Sequence, residues 1–178
     1  MEPRKYDFVQ VTLEPEDYDK VKEVYRLHKE QKRILFNLSS GISSDEEIME
    51  CLKDAIENQI VLLAIDTTTG KYAAMIGCED IRIFNDEIIN MNCHIVVSKR
   101  YWGPESRHII FDWYKFIEET MKPVRRLEAF VPSNAYGIIK LLKDVGFKIE
   151  GTLKNRLVYP NKDNVPTVYN ELVYSKIN

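Results

Sequence analysis

The chain has 178 residues, 44% hydrophobic and 30% charged, with a formal net charge of −3. That length suits a single domain over residues 1–178 with one sizeable core, and the balance is that of an ordinary soluble globular protein. The mild acidity gives no global indication of nucleic-acid binding or of an anionic membrane surface.

In the N-terminal half, Val9-Gln10-Val11-Thr12-Leu13 alternates apolar and polar residues and predicts a half-buried strand. Pro15 opens a helical segment whose stripe is Tyr18, Val21, Tyr25 and His28, where His28 reads as a packed or rim residue. Ser44 to Glu47 has the pattern of a capping box, and Ile48, Leu52 and Ile56 supply the inward face of the helix that follows. The apolar run Gln59–Ile65 predicts a central strand. Thr69-Gly70 turns into another strand from Lys71 to Gly77, with a further strand or extension around Ile81–Ile83 and a turn at Asn85-Asp86.

In the second half, Asn92–Val97 predicts a strand ending at Ser98–Pro104. The next helix carries Ile109, Ile110, Trp113, Phe116 and Ile117, with Pro104 at its first position and Pro123 past its end. Leu127, Ala129 and Val131 alternate on a strand. Pro132-Ser133-Asn134 is expected to cap a helix bearing Ile138, Leu141, Leu142 and Val145, which Gly146 ends in a left-handed conformation. Phe147–Tyr159 and Val165–Tyr174 read as a closing antiparallel pair. The order predicts an α/β fold, a mixed sheet with helices on both faces.

Three cysteines, Cys51, Cys78 and Cys93, form no CxxC and sit among apolar neighbours, so all three are expected as buried free thiols in a reducing, cytoplasmic setting. Met1–Lys5 lacks an apolar signal core, and no run approaches a membrane span, so no membrane partner is expected. Lys122, Arg125 and Arg126 read as a solvated basic face. No metal-spaced Cys/His set, Walker A, HExxH or GxSxG motif is present. Alternation places Asn90, Asn92, His94 and Val96 on one face, and a polar row in mid-sheet suggests a cleft or a solvated face. Glu79, Asp80 and His94 are the candidate bases, His94 because an unperturbed imidazole titrates near neutrality.

Arg126–Gly151, with Asn134, Gly146-Phe147 and Glu150-Gly151 in the pattern "N…GF…EG" and Leu153–Arg156 after it, resembles the GNAT (acyl-CoA N-acyltransferase) superfamily. A second stretch, His94–Ile117, is similar to that family's acyl-CoA motif. The resemblance implies the GNAT fold with a mostly antiparallel central sheet, acetyl-CoA as cofactor and an amine as acceptor. It implies cofactor contacts from Val96, Val97, Arg100, Trp102, Gly103, Ser106 and Asn134, with the carbonyl donor a backbone N–H near Val96 or Val97. The catalytic candidates are Glu79 and His94 as base and Tyr136 as acid, because Leu142 stands where the family usually has its acidic Tyr.

Arg100-Tyr101-Trp102-Gly103-Pro104-Glu105 matches only the first half of the family's phosphate-binding pattern. Pro104 has no N–H to donate, and Glu105 is expected to place a carboxylate where phosphates approach. These departures leave open a second reading, an inactive GNAT-like module that binds a protein partner or another copy of itself. The chain also loosely resembles GNAT-like proteins encoded by bacteriophages, which implies a host-cytoplasm or virion location.

Overall fold

A computed structural model describes residues 4–30, 45–121, 123–160 and 166–177. Ser44 and the Glu47 side chain of the expected capping box, Lys122 of the basic cluster, and residues 161–165 between the two expected closing strands lie outside the described residues. The elements in chain order are β1 (Tyr6–Gln10), α1 (Tyr18–Glu30), α2 (Asp45–Asn58), β2 (Ile60–Asp66), β3 (Tyr72–Phe84) and β4 (Glu87–Val97). They continue with α3 (Pro104–Thr120), β5 (Arg126–Pro132), α4 (Tyr136–Asp144), β6 (Lys148–Pro160) and β7 (Pro166–Ile177). One seven-stranded sheet runs β1-β2-β3-β4-β5-β7-β6. Its pairings are antiparallel except that of β4 with β5.

Strand β1 starts three residues before the predicted Val9, because the alternation that counts is Tyr6 and Phe8, both buried. Val11 stays tied to the sheet through its N–H and the Val61 carbonyl at 2.8 Å. The predicted Lys71–Gly77 strand and the extension at Ile81–Ile83 are one strand, β3, irregular between Glu79 and Arg82, where Asp80 has a φ of 49°. Asn85 and Asp86, at φ 47° and 62°, make the two-residue left-handed hairpin turn into β4.

The sheet is packed on both faces. Against α3 and α4 lie Leu62, Ile76, Met91, Leu127 and Ala129, meeting Ile109, Trp113, Ile117 and Leu142. Against α1 and α2 lie Leu63, Met75 and Val96, meeting Val24, Leu27, Ile48 and Leu52. The buried stripe of α1 is Val21, Val24, Leu27 and His28. Tyr18, expected on it, is instead exposed with Lys22 Nζ 4.3 Å from its ring centroid.

Two other expectations fail for local reasons. Cys51 is exposed, because it falls off the Ile48–Leu52–Ile56 face of α2, whereas Cys78 is buried and Cys93 half-buried. Asn134 does not cap α4: the N-cap is Ala135, whose N–H closes a turn onto the Pro132 carbonyl at 2.9 Å. Among the described residues no helix is long and apolar enough to cross a membrane.

Candidate functional site

The site begins where two neighbouring strands part. β4 and β5 pair only at Met91↔Leu127 and Asn92↔Glu128, beyond an isolated bridge at Ile88↔Val124. The Cys93 thiol adds one more tie, donating to the Glu128 carbonyl at 3.2 Å. Burial pushes this thiol up, which keeps it protonated for that role. From there β4 stays with β3 as far as Ala74↔Val97, and β5 stays with β7 as far as Pro132↔Glu171. Each strand satisfies its outer edge, and a gap opens between the inner ones.

The backbone groups that face this gap follow from the ladder. Alternate residues of a strand direct their N–H and C=O to opposite neighbours. The Ser98 N–H donates to Ala73 at 2.9 Å, and the β3–β4 register is unbroken from Val97 back to Asn92. Val96 and His94 therefore turn their backbone groups toward β3, and Val97 and Ile95 turn theirs toward the gap. The Trp102 indole N–H reaches the Val97 carbonyl from that side at 3.0 Å. Val96, expected as a possible carbonyl-polarising donor, thus has its N–H turned to β3, and Ile95, absent from the sequence-based candidates, faces the gap beside Val97.

The gap opens into a cleft of about 680 Å³, lined by Ile95–Val97, Trp102–Pro104, Ser106 and Arg107 on one side. Asn134, Tyr136, Gly137, Ile138, Lys140 and Leu141 line the other. Gly103, at φ 83°, adopts the left-handed conformation that turns the loop into α3. Ser106 is in the wall, but its hydroxyl is committed to the Tyr101 carbonyl at 2.9 Å and its N–H to Gly103 at 3.2 Å. Arg107 is paired at 3.1 Å with Asp144, which lines the same cleft, and Lys140 adds a further positive charge to it.

Glu105 is not where the sequence reading put it. Its carboxylate accepts from Lys5 Nζ and from Tyr6 Oη, both at 2.6 Å, on the β1 side of α3. Lys5 first, and then Tyr6, hold it below the usual carboxylate range. Asp112, two turns further along the same helix face, docks that strand as well, accepting from the backbone N–H of Lys5 at 2.8 Å and of Tyr6 at 2.9 Å. The spacing of Glu105 and Asp112 was the available sign that Glu105 belongs to this face. Arg100 is also displaced: it lines a separate pocket with Glu23, Arg26 and Lys71, its guanidinium 5.9 Å from the Tyr101 ring centroid.

Behind the cleft, and sharing Ile95 and Ile138 with it, lies an inner chamber of about 310 Å³ that passes through the plane of the sheet. On the α3/α4 side its walls are apolar and include Ile110, Trp113, Leu142 and Phe147. On the other side it meets Glu79, Asn92, His94 and Glu171. The structure therefore brings Glu79 and His94 together at the chamber and leaves Tyr136, 77% exposed, in the outer cleft. Asp80 is not in the chamber wall and accepts from Asn92 Nδ2 at 2.8 Å.

Burial, then the neighbouring Asp80 charge, raises the Glu79 carboxyl, which accepts from Gln59 Nε2 at 2.9 Å. Burial also raises Glu171, against the opposing Arg156 at 3.9 Å. Glu171 is absent from the sequence-based candidates, because its place at the chamber comes from the pairing of β7 with β5. His94 is half-buried and packs over Gly77: a Cβ on that glycine would lie 2.0 Å from His94 Cε1. Burial, then His28, holds His94 down to about 4, so it is neutral near pH 7. Asn92 Oδ1 and Trp113 Nε1 are buried with no hydrogen-bond partner. Among the described residues, no group of three or more His, Cys, Asp or Glu is placed to hold a metal ion.

No protein-family model and no curated protein matches the sequence. Solved structures do match. An acetyltransferase from Salmonella typhimurium that modifies the N-terminal serine of ribosomal protein L7/L12 superposes with a TM-score of 0.72 at 12% identity, covering 99% of this chain and 96% of that one. Spermidine N-acetyltransferase from Vibrio cholerae, in complex with CoA and spermine, gives 0.70 at 12% identity over 97% and 95%. A GNAT-family acetyltransferase from Streptococcus pneumoniae gives 0.61 at 19% identity over 97% and 100%. The fold of this chain is the GNAT fold.

Proposed function

We propose that this chain, built on the GNAT fold, is an N-acyltransferase that passes an acyl group from a CoA thioester to an amine. The observation that carries the reading is the parting of β4 from β5, which turns the backbone of Ile95 and Val97 toward an open cleft. The cleft suits CoA in chemistry as well as in size. Ile95, Ile138 and Leu141 offer apolar walls to a pantetheine arm, and Lys140 offers charge to its phosphates, with Arg107 beside Asp144 in the same wall. The start of α3 adds the partial positive charge of a helix N-terminus, and Glu105, turned to Lys5 and Tyr6, does not oppose it.

Bound acyl-CoA supplies an activated carbonyl. Toward it, the Ile95 N–H, which faces the gap, acts as a donor to the oxygen on which charge develops, an effect typically worth a few kcal/mol. Glu79 takes a proton from the incoming ammonium, and its raised carboxyl is suited to doing so near neutral pH. His94 lines the same chamber, but a ring held down to about 4 is a weak base near neutral pH and is suited to accepting a hydrogen bond from the amine rather than its proton. Of the two hydroxyls in the cleft wall, that of Ser106 is committed to Tyr101, which leaves Tyr136 to return a proton to the departing thiolate.

The test is acyl transfer from acetyl-CoA to a panel of primary amines and peptide N-termini, read by mass spectrometry, with Glu79→Gln beside the wild type. Removing the base should slow turnover about 10²-fold or more. A second reading, a CoA-binding module without catalysis, draws on Pro104, which lacks an N–H, and on Leu142, buried where an acid is usual. CoA binding with no transfer to any amine would favour it.

A further inference from the structure

The inner chamber, about 310 Å³, has to take both an acyl group and the incoming amine, so the lining of its two halves decides what each holds. The half of the chamber on the helix side is walled by Ile110, Trp113, Ala129, Ile138, Leu142 and Phe147. The Cys93 thiol there is committed to the Glu128 carbonyl. Alternation along β3, β4 and β7 sends Glu79, Asn92, His94 and Glu171 to the opposite half. The sheet plane thus separates an apolar compartment from a polar one, and both open where β4 and β5 part.

We infer that the apolar half is an acyl pocket, and that the preferred donor is a CoA thioester with an acyl chain longer than acetyl. The inference rests on the proposed CoA-dependent reading and specifies its donor. Continuity argues for this occupant: Ile95 and Ile138 line both cleft and chamber, so a chain attached to a thioester in the cleft leads directly into the apolar half. The amine then approaches from the polar half, past Glu79 and Glu171. Leu142 is an integral wall of the pocket, 5% exposed, and a polar acid at that position would remove the lining a chain needs. In the transfer the thioester C–S bond breaks and an amide C–N bond forms. One ammonium proton goes to Glu79, Tyr136 protonates the departing thiolate to give CoA, and the second proton that the nitrogen sheds on becoming an amide restores Tyr136.

The test is titration calorimetry of the wild-type chain with CoA and with acetyl-, butyryl- and hexanoyl-CoA, which needs no knowledge of the acceptor. Burial of each added methylene should tighten binding about three- to fourfold. Ala129→Leu, which fills the pocket from β5, should abolish that increment and leave CoA itself bound. Affinity that is flat or falls beyond acetyl, with CoA still bound, would overturn the acyl pocket and leave the function standing. If CoA and all its thioesters fail to bind, the proposed function falls, and the pocket assignment with it.

Discussion

The carboxylate of Glu105 lies 2.6 Å from Lys5 Nζ, on the opposite flank of α3 from the cleft that the same helix helps to build. A residue that looks, in one dimension, like a charge lodged in a phosphate loop is in three dimensions a clasp between α3 and β1. Glu105→Gln should therefore leave CoA affinity within about twofold of wild type. Stability should fall by about 1 kcal/mol, the scale of a lost hydrogen bond at a partly exposed pair. Because the folded-state carboxyl is held below its ordinary value of 4.5, its contribution is complete above that pH and is lost as pH falls through the lower folded value. Thermal melts from pH 7 to pH 3 check both points: the variant should have the shallower acid limb.

Gly77 and His94 form a second cross-strand pair whose geometry can be tested. Gly77→Ala drives a Cβ into the imidazole and should cost about 1–3 kcal/mol through overpacking. His94→Ala in the same chain should recover most of that loss, a coupling that a double-mutant cycle measures.

The ring of His94 also leaves a pH signature. Its folded pKa of about 4 lies below the unfolded 6.5, so on acidification the unfolded chain takes up the proton first. Stability is complete above pH 6.5 and is lost between 6.5 and about 4. Proton NMR should show the His94 ring failing to titrate between pH 8 and pH 5. His94→Asn should remove part of the loss in that window, leaving the share due to His28, which burial also holds down.

Glu79 has the opposite sign. Its folded-state carboxyl is raised, by burial first and then by Asp80, so stability is greatest below the unfolded value and declines as pH rises through the folded one. Glu79→Gln should therefore stabilise the chain at pH 7, on the order of 0.5–2 kcal/mol, while slowing transfer. A variant less stable than wild type at pH 7 would contradict this account of its environment.

Periodicity in the sequence carried most of the fold. The stripes on α2, α3 and β5 predicted Ile48, Leu52, Ile109, Trp113, Leu127 and Val131 as core residues, and all are buried. Gly146 ends α4 at a φ of 94°, as its place before Phe147 implied. The site was less legible because it depends on relations between strands. Which N–H groups face the gap follows from the β3–β4 register, which assigns Ile95 rather than Val96. The direction of Glu105 follows from the docking of β1, a hundred residues earlier in the chain. Glu171 reaches the chamber only through the β5–β7 pairing, and no spacing along the chain announces that.

Calorimetric titration of the wild type and of Gly137→Trp with CoA tests directly whether the cleft between β4 and α4 holds CoA. Gly137 lines the cleft, and a Cβ there meets nothing within 4 Å, so tryptophan can fill the space without disturbing the core. A cleft that holds CoA gives micromolar binding by the wild type, in the range usual for enzyme substrates, and none by the variant. No binding by the wild type, or equal binding by a folded variant, would contradict it.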